Sequence, residues 1–310
     1  MKLISVVTPC YNEEENVREL YAQVKAAFAS MGRYRYEHIF IDNASTDGTV
    51  AILKELAAAD HDVKIIVNQR NFGQVRSPHH AFLTARGDAV ISLAADLQDP
   101  PELIPQFLEH WEKGFKVVLG VKRSTKDAPV MALLRATYYR LISQISDVEL
   151  IPHVTGFGVY DQQFVSLVRS LDDPYPYTRG LVSEFGFAYV TIPYDQPNRM
   201  HGVTKNNWYS LYDFAMTGVT SHSKLPLRLA TLIGFATAGM SLLVAIGYFV
   251  YKLMYWNSFP VGVAPIVIGL FFAMSIQLVF LGLIGEYIAV IHTRLLRRPL
   301  VVEKERVNFD

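Results

Sequence analysis

The residues best suited to chemistry are Asp96, Gln98 and Asp99, which follow an apolar run from Ala89 to Ala95 and precede Pro100, Pro101 and Glu102. The run is strand-length and too short for an independent helix. The two prolines stop it and preset the first turn of a following helix. The three polar side chains therefore fall at the C-terminal tip of a strand, where ligands bind in open α/β sheets. Carboxylate and amide oxygens suit Mg²⁺ or Mn²⁺, which in turn clamp phosphate oxygens. The same residues also fit a capped turn, with Asp99 serving the helix that starts at Pro101.

Other strands must position this tip. Leu3 to Thr8 is a β-branched run closed by Pro9, and it reads as a buried parallel strand. Asn12 is placed to cap a helix that runs to about Met31. His38 to Ile41, Val63 to Val67 and Lys116 to Gly120 read as further strands. Helical segments of about 12 to 18 residues alternate with them, which implies a mostly parallel sheet with helices on both faces. Polar residues recur at successive strand ends as Glu13, Asp42, Asn71 and Asp96, a pattern that suggests one pocket along one sheet edge. No dinucleotide fingerprint, P-loop or Cys/His zinc spacing occurs. His79 and His80 are expected as a surface pair.

The 310 residues allow one large domain or two smaller ones. With 29 basic and 29 acidic residues the net charge is zero, so no nucleic-acid partner is expected. The single cysteine, Cys10, excludes an intrachain disulfide and reads as a buried thiol. No charged residue lies between Arg228 and Lys252, or between Lys252 and Glu286. Leu229 to Tyr251 and Pro265 to Gly285 are each long enough to cross a hydrocarbon core of about 30 Å. The division is a soluble domain over 1–225, a membrane hairpin over 226–292 and a tail over 293–310. Lys224 and Arg228 precede the first span, and Arg294, Arg297 and Arg298 follow the second. The positive-inside rule then places the soluble domain and both termini in the cytoplasm. Met1-Lys2 runs straight into a strand, so no signal peptide is expected. Glu286 is either a functional intramembrane acid or an interfacial carboxylate.

Four stretches together resemble family-2 glycosyltransferases of GT-A fold: Ser5 to Glu14, Ile41 to Thr49, Asn71-Phe72-Gly73 and Ala95 to Glu102. With Arg199 to Lys205 and the terminal hairpin carrying Gly285-Glu286-Tyr287, the chain resembles the polyprenyl-phosphate glycosyltransferases. These include dolichol-phosphate mannose synthases and bactoprenol glucosyltransferases. The resemblance implies an α/β, Rossmann-like catalytic domain followed by a two-helix transmembrane hairpin, located at the inner (cytoplasmic) membrane. It assigns Pro9, Tyr11, Glu13 and Asp42 to the nucleotide base and ribose, with Arg70 and Asn71 nearby. Asp96 and Gln98 would bind the divalent metal, Mg²⁺ or Mn²⁺, that bridges the donor diphosphate. Arg123 and Arg135 lie where the family receives the lipid phosphate, and Arg199 and Lys205 lie on a loop like the one that closes over the phosphates. For these four cations, solvated surface charge is the alternative.

The implied reaction transfers one sugar, glucose from UDP-glucose foremost, to polyprenyl (undecaprenyl) phosphate at the cytoplasmic leaflet, with inversion. An ionised phosphate acceptor attacks without a strong base and needs arginines to position it. Metal and cations neutralise the leaving diphosphate. The absence of a Q-x-x-R-W string and the two spans favour a single transfer over a processive polysaccharide synthase. Three positions depart from the family pattern: Ala94 and Asn43 each stand where an acid is usual, and Phe157 does so with Asp161 as candidate substitute. They keep open a non-catalytic scaffold that binds sugar nucleotide and recruits a flippase. Oligomerisation is expected, with the tail from Arg294 to Asp310 reaching an adjacent protomer.

Overall fold

Residues 1–123, 151, 154–171, 173, 178–197, 225–255, 263–296 and 298–309 are described by a computed structural model of the protein. The first half alternates β1 (Lys2–Cys10), α1 (Val17–Met31), β2 (Tyr34–Asp42), α2 (Thr49–Ala59), β3 (Val63–Asn68), α3 (Gly73–Thr84) and β4 (Ala89–Ser92). A 3₁₀ turn, Pro101–Leu103, leads into α4 (Ile104–Glu112) and β5 (Val117–Lys122). Then come β6 (Val154–Asp161), α5 (Gln162–Ser170), α6 (Thr178–Glu184) and β7 (Tyr189–Tyr194). Two long helices, α7 (Leu225–Met254) and α8 (Val263–Leu295), precede a last strand, β8 (Glu303–Val307).

The strands form one sheet in the order β7-β5-β6-β4-β1-β2-β3-β8. β3, β2, β1 and β4 are mutually parallel, and β6 and β8 run against their neighbours. β5 and β7 are parallel to each other. The C-terminal ends of β1 to β5 and β7 consequently share one edge. The N-terminal ends of β6 and β8 meet them there. This is the expected α/β, GT-A-like architecture.

Alternation along each strand builds two cores. Ile4, Val6, Phe40, Ile65 and Ile91 face Leu20, Leu53 and Phe107 of α1, α2 and α4. Val7, Ile39, Ile41, Ile66 and Val90 face Phe82 and Phe164 of α3 and α5. Each such fully buried side chain contributes about 1.5–3 kcal/mol relative to exposure. Burial on both faces explains why these strands read as unbroken apolar runs.

Several local expectations are corrected. Asn12 does not cap α1: it has φ 56°, and Asn16 precedes the helix. His79 is buried, and His80 pairs with Glu303 at 2.5 Å, so the two are not a surface pair. The tail returns to the chain's own sheet. β8 pairs antiparallel with β3, Gln69 N donates to the Val302 carbonyl at 2.9 Å, and Asn308 Nδ2 donates to Ala57 and Val63 carbonyls. Arg76 adds a hydrogen bond to the Pro299 carbonyl at 2.8 Å.

Both α7 and α8 are long and apolar enough to cross a membrane, with spans at Leu227–Met254 and Phe272–Thr293. α8 runs unbroken from Val263 past Glu286 to Leu295 and contains the sequence window Pro265 to Gly285. Among the described residues, their Leu, Ile, Phe and Met side chains are largely exposed, which suits a lipid environment.

Candidate functional site

The sheet edge gathers Pro9 near the end of β1 and Tyr11 just after it, Asp42 and Asn43 at the end of β2, Arg70 and Asn71 after β3, Asp96 and Gln98 after β4, and Arg123 after β5. Arg135, Arg199 and Lys205 lie outside the described residues. The remaining candidates stand along that one edge.

The loops after β1 and β2 interlock. Asn12 N donates to Ser45 Oγ at 2.8 Å, Asn12 Oδ1 accepts from Thr46 N at 2.8 Å, and Glu13 N donates to Thr49 Oγ1 at 2.9 Å. Left-handed backbone at Asn12 and Ala44 lets both chains turn sharply over the edge. The Glu13 carboxylate accepts from Asn16 Nδ2 at 2.7 Å. Asp42 is fully buried; its Oδ2 accepts from Ser45 N at 2.9 Å, whereas its Oδ1 has no partner among the described residues. Burial raises its pKa, partly offset by hydrogen bonds from Ser45 and Ala44. An unsatisfied buried carboxylate oxygen is costly, and a ligand N–H or O–H would relieve that cost. Cys10 lies beneath, buried, its thiol pushed up by desolvation and then by Asp42, Glu13 and Asp47. It is the inert thiol expected.

Asn43 is a joint rather than a ligand-facing group. Its Nδ2 donates to Asn71 Oδ1 at 2.9 Å and to the Gly73 carbonyl at 3.2 Å. Its Oδ1 accepts from Phe72 N at 2.9 Å and Asn68 Nδ2 at 3.2 Å. Arg70 is exposed, with its guanidinium 4.1 Å from the Phe72 ring centroid and a hydrogen bond to the Asn71 carbonyl.

After β4 the chain alternates. Leu93, Ala95, Leu97 and Asp99 are buried, whereas Ala94, Asp96 and Gln98 are more open and share the accessible side. Leu97 has φ 56°, and Gln98 N donates to Asp96 Oδ1 at 3.3 Å. Asp99 does not cap the following helix. Its Oδ1 accepts from the Tyr194 hydroxyl at 2.8 Å and its Oδ2 from Ala94 N at 3.3 Å. Burial raises the Asp99 pKa, and the Tyr194 hydrogen bond opposes the shift.

Arg123 N donates to the Tyr194 carbonyl at 3.0 Å, and its guanidinium lies 3.3 Å from Asp195. Phe157 is turned into the core against Phe107. Asp161 does not substitute for an acid at that position. It pairs in register with Ala89 at the opposite edge, and accepts from Trp111 Nε1 at 2.8 Å and Gln163 N at 2.9 Å. Tyr194 and Thr155 were not anticipated. β7 carries an interior Pro193 that masks its strand pattern, and nothing local marks its last tyrosine.

Residues 5–159 match the sequence model described as glycosyl transferase family 2. An uncharacterized glycosyltransferase, YkcC of Bacillus subtilis (strain 168), is 35% identical over 308 residues, covering 99% of this chain and 94% of its own. The protein belongs to glycosyl transferase family 2. This glycosyltransferase is also 32% identical over 305 residues to the SfII prophage-derived bactoprenol glucosyl transferase of Shigella flexneri, with 97% of each chain covered. A prophage bactoprenol glucosyl transferase homolog of Escherichia coli (strain K12) is 30% identical, over 97% of this chain and 98% of its own. These matches include the stretch that forms the two apolar helices of the glycosyltransferase.

Proposed function

We propose that this glycosyltransferase moves one hexose from a nucleotide donor, UDP-glucose foremost, onto a polyprenyl phosphate such as undecaprenyl phosphate at the cytoplasmic leaflet. The observation that carries this reading is the near full-length similarity to bactoprenol glucosyl transferases, both apolar helices included. The arginines that flank the helices support a soluble domain and termini on the cytoplasmic side.

The orphan Asp42 Oδ1 supports donor binding at the β1–β2 corner, where Pro9, Tyr11 and Glu13 also lie. Asp96 and Gln98 fit a hard divalent cation. They offer oxygen donors on one accessible side, and no group of three His, Cys, Asp or Glu side chains stands among the described residues. A site with one carboxylate and one amide suits Mg²⁺ or Mn²⁺ completed by diphosphate oxygens. Bound there, the ion supplies charge neutralisation for the departing diphosphate.

Arg123 stands at the next strand end, where it positions the acceptor phosphate, with Arg135, Arg199 and Lys205 as further cations. An acceptor phosphate oxygen attacks the anomeric carbon on the face opposite the leaving group. The new carbon–oxygen bond forms as the bond to the nucleoside diphosphate breaks. The released electron pair leaves with the diphosphate, and the sugar carbon is inverted. The acceptor is already ionised, so orientation replaces general base catalysis.

Radiolabel transfer from a panel of nucleotide sugars to undecaprenyl phosphate tests the reading, with Mn²⁺, Mg²⁺ or EDTA and with Asp96→Ala alongside. One lipid-linked monosaccharide is expected, requiring metal and reduced at least about 100-fold in the variant. UDP binding with no transfer from any donor would turn the reading to a sugar-nucleotide-binding scaffold. A polymeric product would turn it to a processive synthase.

A further inference from the structure

We propose that Tyr194 is a positioning residue that sets the Asp96–Gln98 turn against Arg123; this rests on the donor and acceptor sites proposed above. Tyr194 closes β7 and is 4% exposed. It reaches both halves of the site from one backbone position. Its hydroxyl donates to Asp99 Oδ1 at 2.8 Å, and Asp99 Oδ2 holds Ala94 N at 3.3 Å, so the carboxylate spans the base of the turn. Its carbonyl accepts from Arg123 N at 3.0 Å, continuing the β5–β7 ladder in which Lys122 pairs with Tyr194.

The turn needs such a hold. Leu97 sits in left-handed backbone, a conformation unfavourable for a leucine and kept only where neighbours over-determine it. The tyrosine cannot drift, because its ring meets Phe157 edge-on at 5.7 Å. Gly120 closes the remaining space: a Cβ there would lie 2.9 Å from the Phe157 ring and 3.0 Å from that of Tyr194. Thr155 Oγ1 lies 3.4 Å from the same hydroxyl and fixes its direction further. A tyrosine serving packing alone could be satisfied by any carbonyl. Here its acceptor is a buried carboxylate on the turn that carries Asp96 and Gln98.

Tyr194→Phe keeps the ring and removes the hydrogen bond. In the full-length protein in detergent, Mn²⁺ binding in the presence of UDP is read from the electron paramagnetic resonance of the free ion. Its affinity is expected to fall about 10-fold, the range seen when groups behind a metal ligand are removed. The Mn²⁺ concentration giving half-maximal transfer should rise in parallel, with donor KM less affected. Asp99→Asn is the second variant, and adding Tyr194→Phe to it should weaken Mn²⁺ binding no further. A purely structural tyrosine would lower the melting temperature and leave Mn²⁺ binding at the wild-type value, which overturns the proposal. An additive double variant overturns it too. Failure of the wild-type protein to bind Mn²⁺ with UDP is a different result and removes the proposed metal site itself. Should Tyr194→Phe not fold, unchanged Mn²⁺ binding by Asp99→Asn also decides against the proposal.

Discussion

The side-chain amide of Asn43 donates to Asn71 Oδ1 at 2.9 Å, joining the loop after β2 to the loop after β3. An aspartate at 43 has no hydrogen to give, and it would turn a carboxylate toward Asn71 Oδ1 and the Gly73 carbonyl. Asn43→Asp is expected to destabilise the protein by about 1–3 kcal/mol. It should also raise the donor KM, because Arg70 and Asn71 lose their anchor. Thermal unfolding and donor kinetics on the same preparation check this. A melting temperature equal to wild type would show that the joint contributes nothing.

Ala94 shares the accessible side of its turn with Asp96 and Gln98. Ala94→Asp adds a second carboxylate there, and added ligand charge tightens binding of hard cations. The metal concentration for half-maximal transfer is expected to fall about 10-fold, since one more anionic ligand faces the same ion. A Mn²⁺ titration of both proteins at fixed donor gives the answer.

Asp42 carries a pH signature. Burial raises its folded pKa, so between the ordinary carboxylate range and that raised value the folded state holds a proton the unfolded chain has lost. Stability from this group is therefore highest at acid pH and falls as pH rises through the window. Asp42→Asn removes the slope. Its melting temperature relative to wild type should be most favourable at neutral pH and converge on wild type toward about pH 4. UDP affinity should fall at the same time, since the orphan acceptor is gone. Calorimetry across pH, paired with UDP titration, separates the two effects.

Glu303 behaves in the opposite sense. A hydrogen bond from Arg306, opposed by burial and reinforced by one from His80, holds its carboxyl below the ordinary range. Its stabilising contribution is present above the unfolded pKa of about 4.3 and is lost as pH falls through the folded value. Glu303→Gln should melt lower than wild type at neutral pH, with a deficit that vanishes in acid. A deficit independent of pH would point to packing rather than charge.

Much of the sheet was legible because β1 to β5 are short apolar runs buried on both faces, each punctuated by polar residues. The site followed from the same punctuation, since parallel strands carry their ends to one edge. β6 and β7 were not legible. The Thr155-Gly156-Phe157-Gly158 stretch of β6 and Pro193 of β7 weaken any strand pattern, and both strands form because β4 and β5 offer them partners. β8 is charged at four of its five positions, Glu303, Lys304, Glu305 and Arg306, with only Val307 apolar. Long-range pairing with Lys54 and His80 makes it a strand, and no local sequence signal reports that. Asp99 was misassigned for a related reason: the partner that decides its role, Tyr194, lies far away in the chain.

The return of the chain from α8 to β8 acts as a ruler. Residues 296–302 connect Leu295 to Glu303, eight steps along the chain, and extended chain reaches at most about 29 Å over that length. Glu303 pairs with Asn68, at the same sheet edge as Arg70 and Asp96. Glu303, and with it the β3 end of that edge, therefore cannot stand further than that from the end of α8, whatever the soluble domain does about its other connection. On the proposed function, an acceptor phosphate held in the headgroup layer is met below that ceiling. Residues inserted into 296–302 would raise the ceiling without altering one side chain of the site.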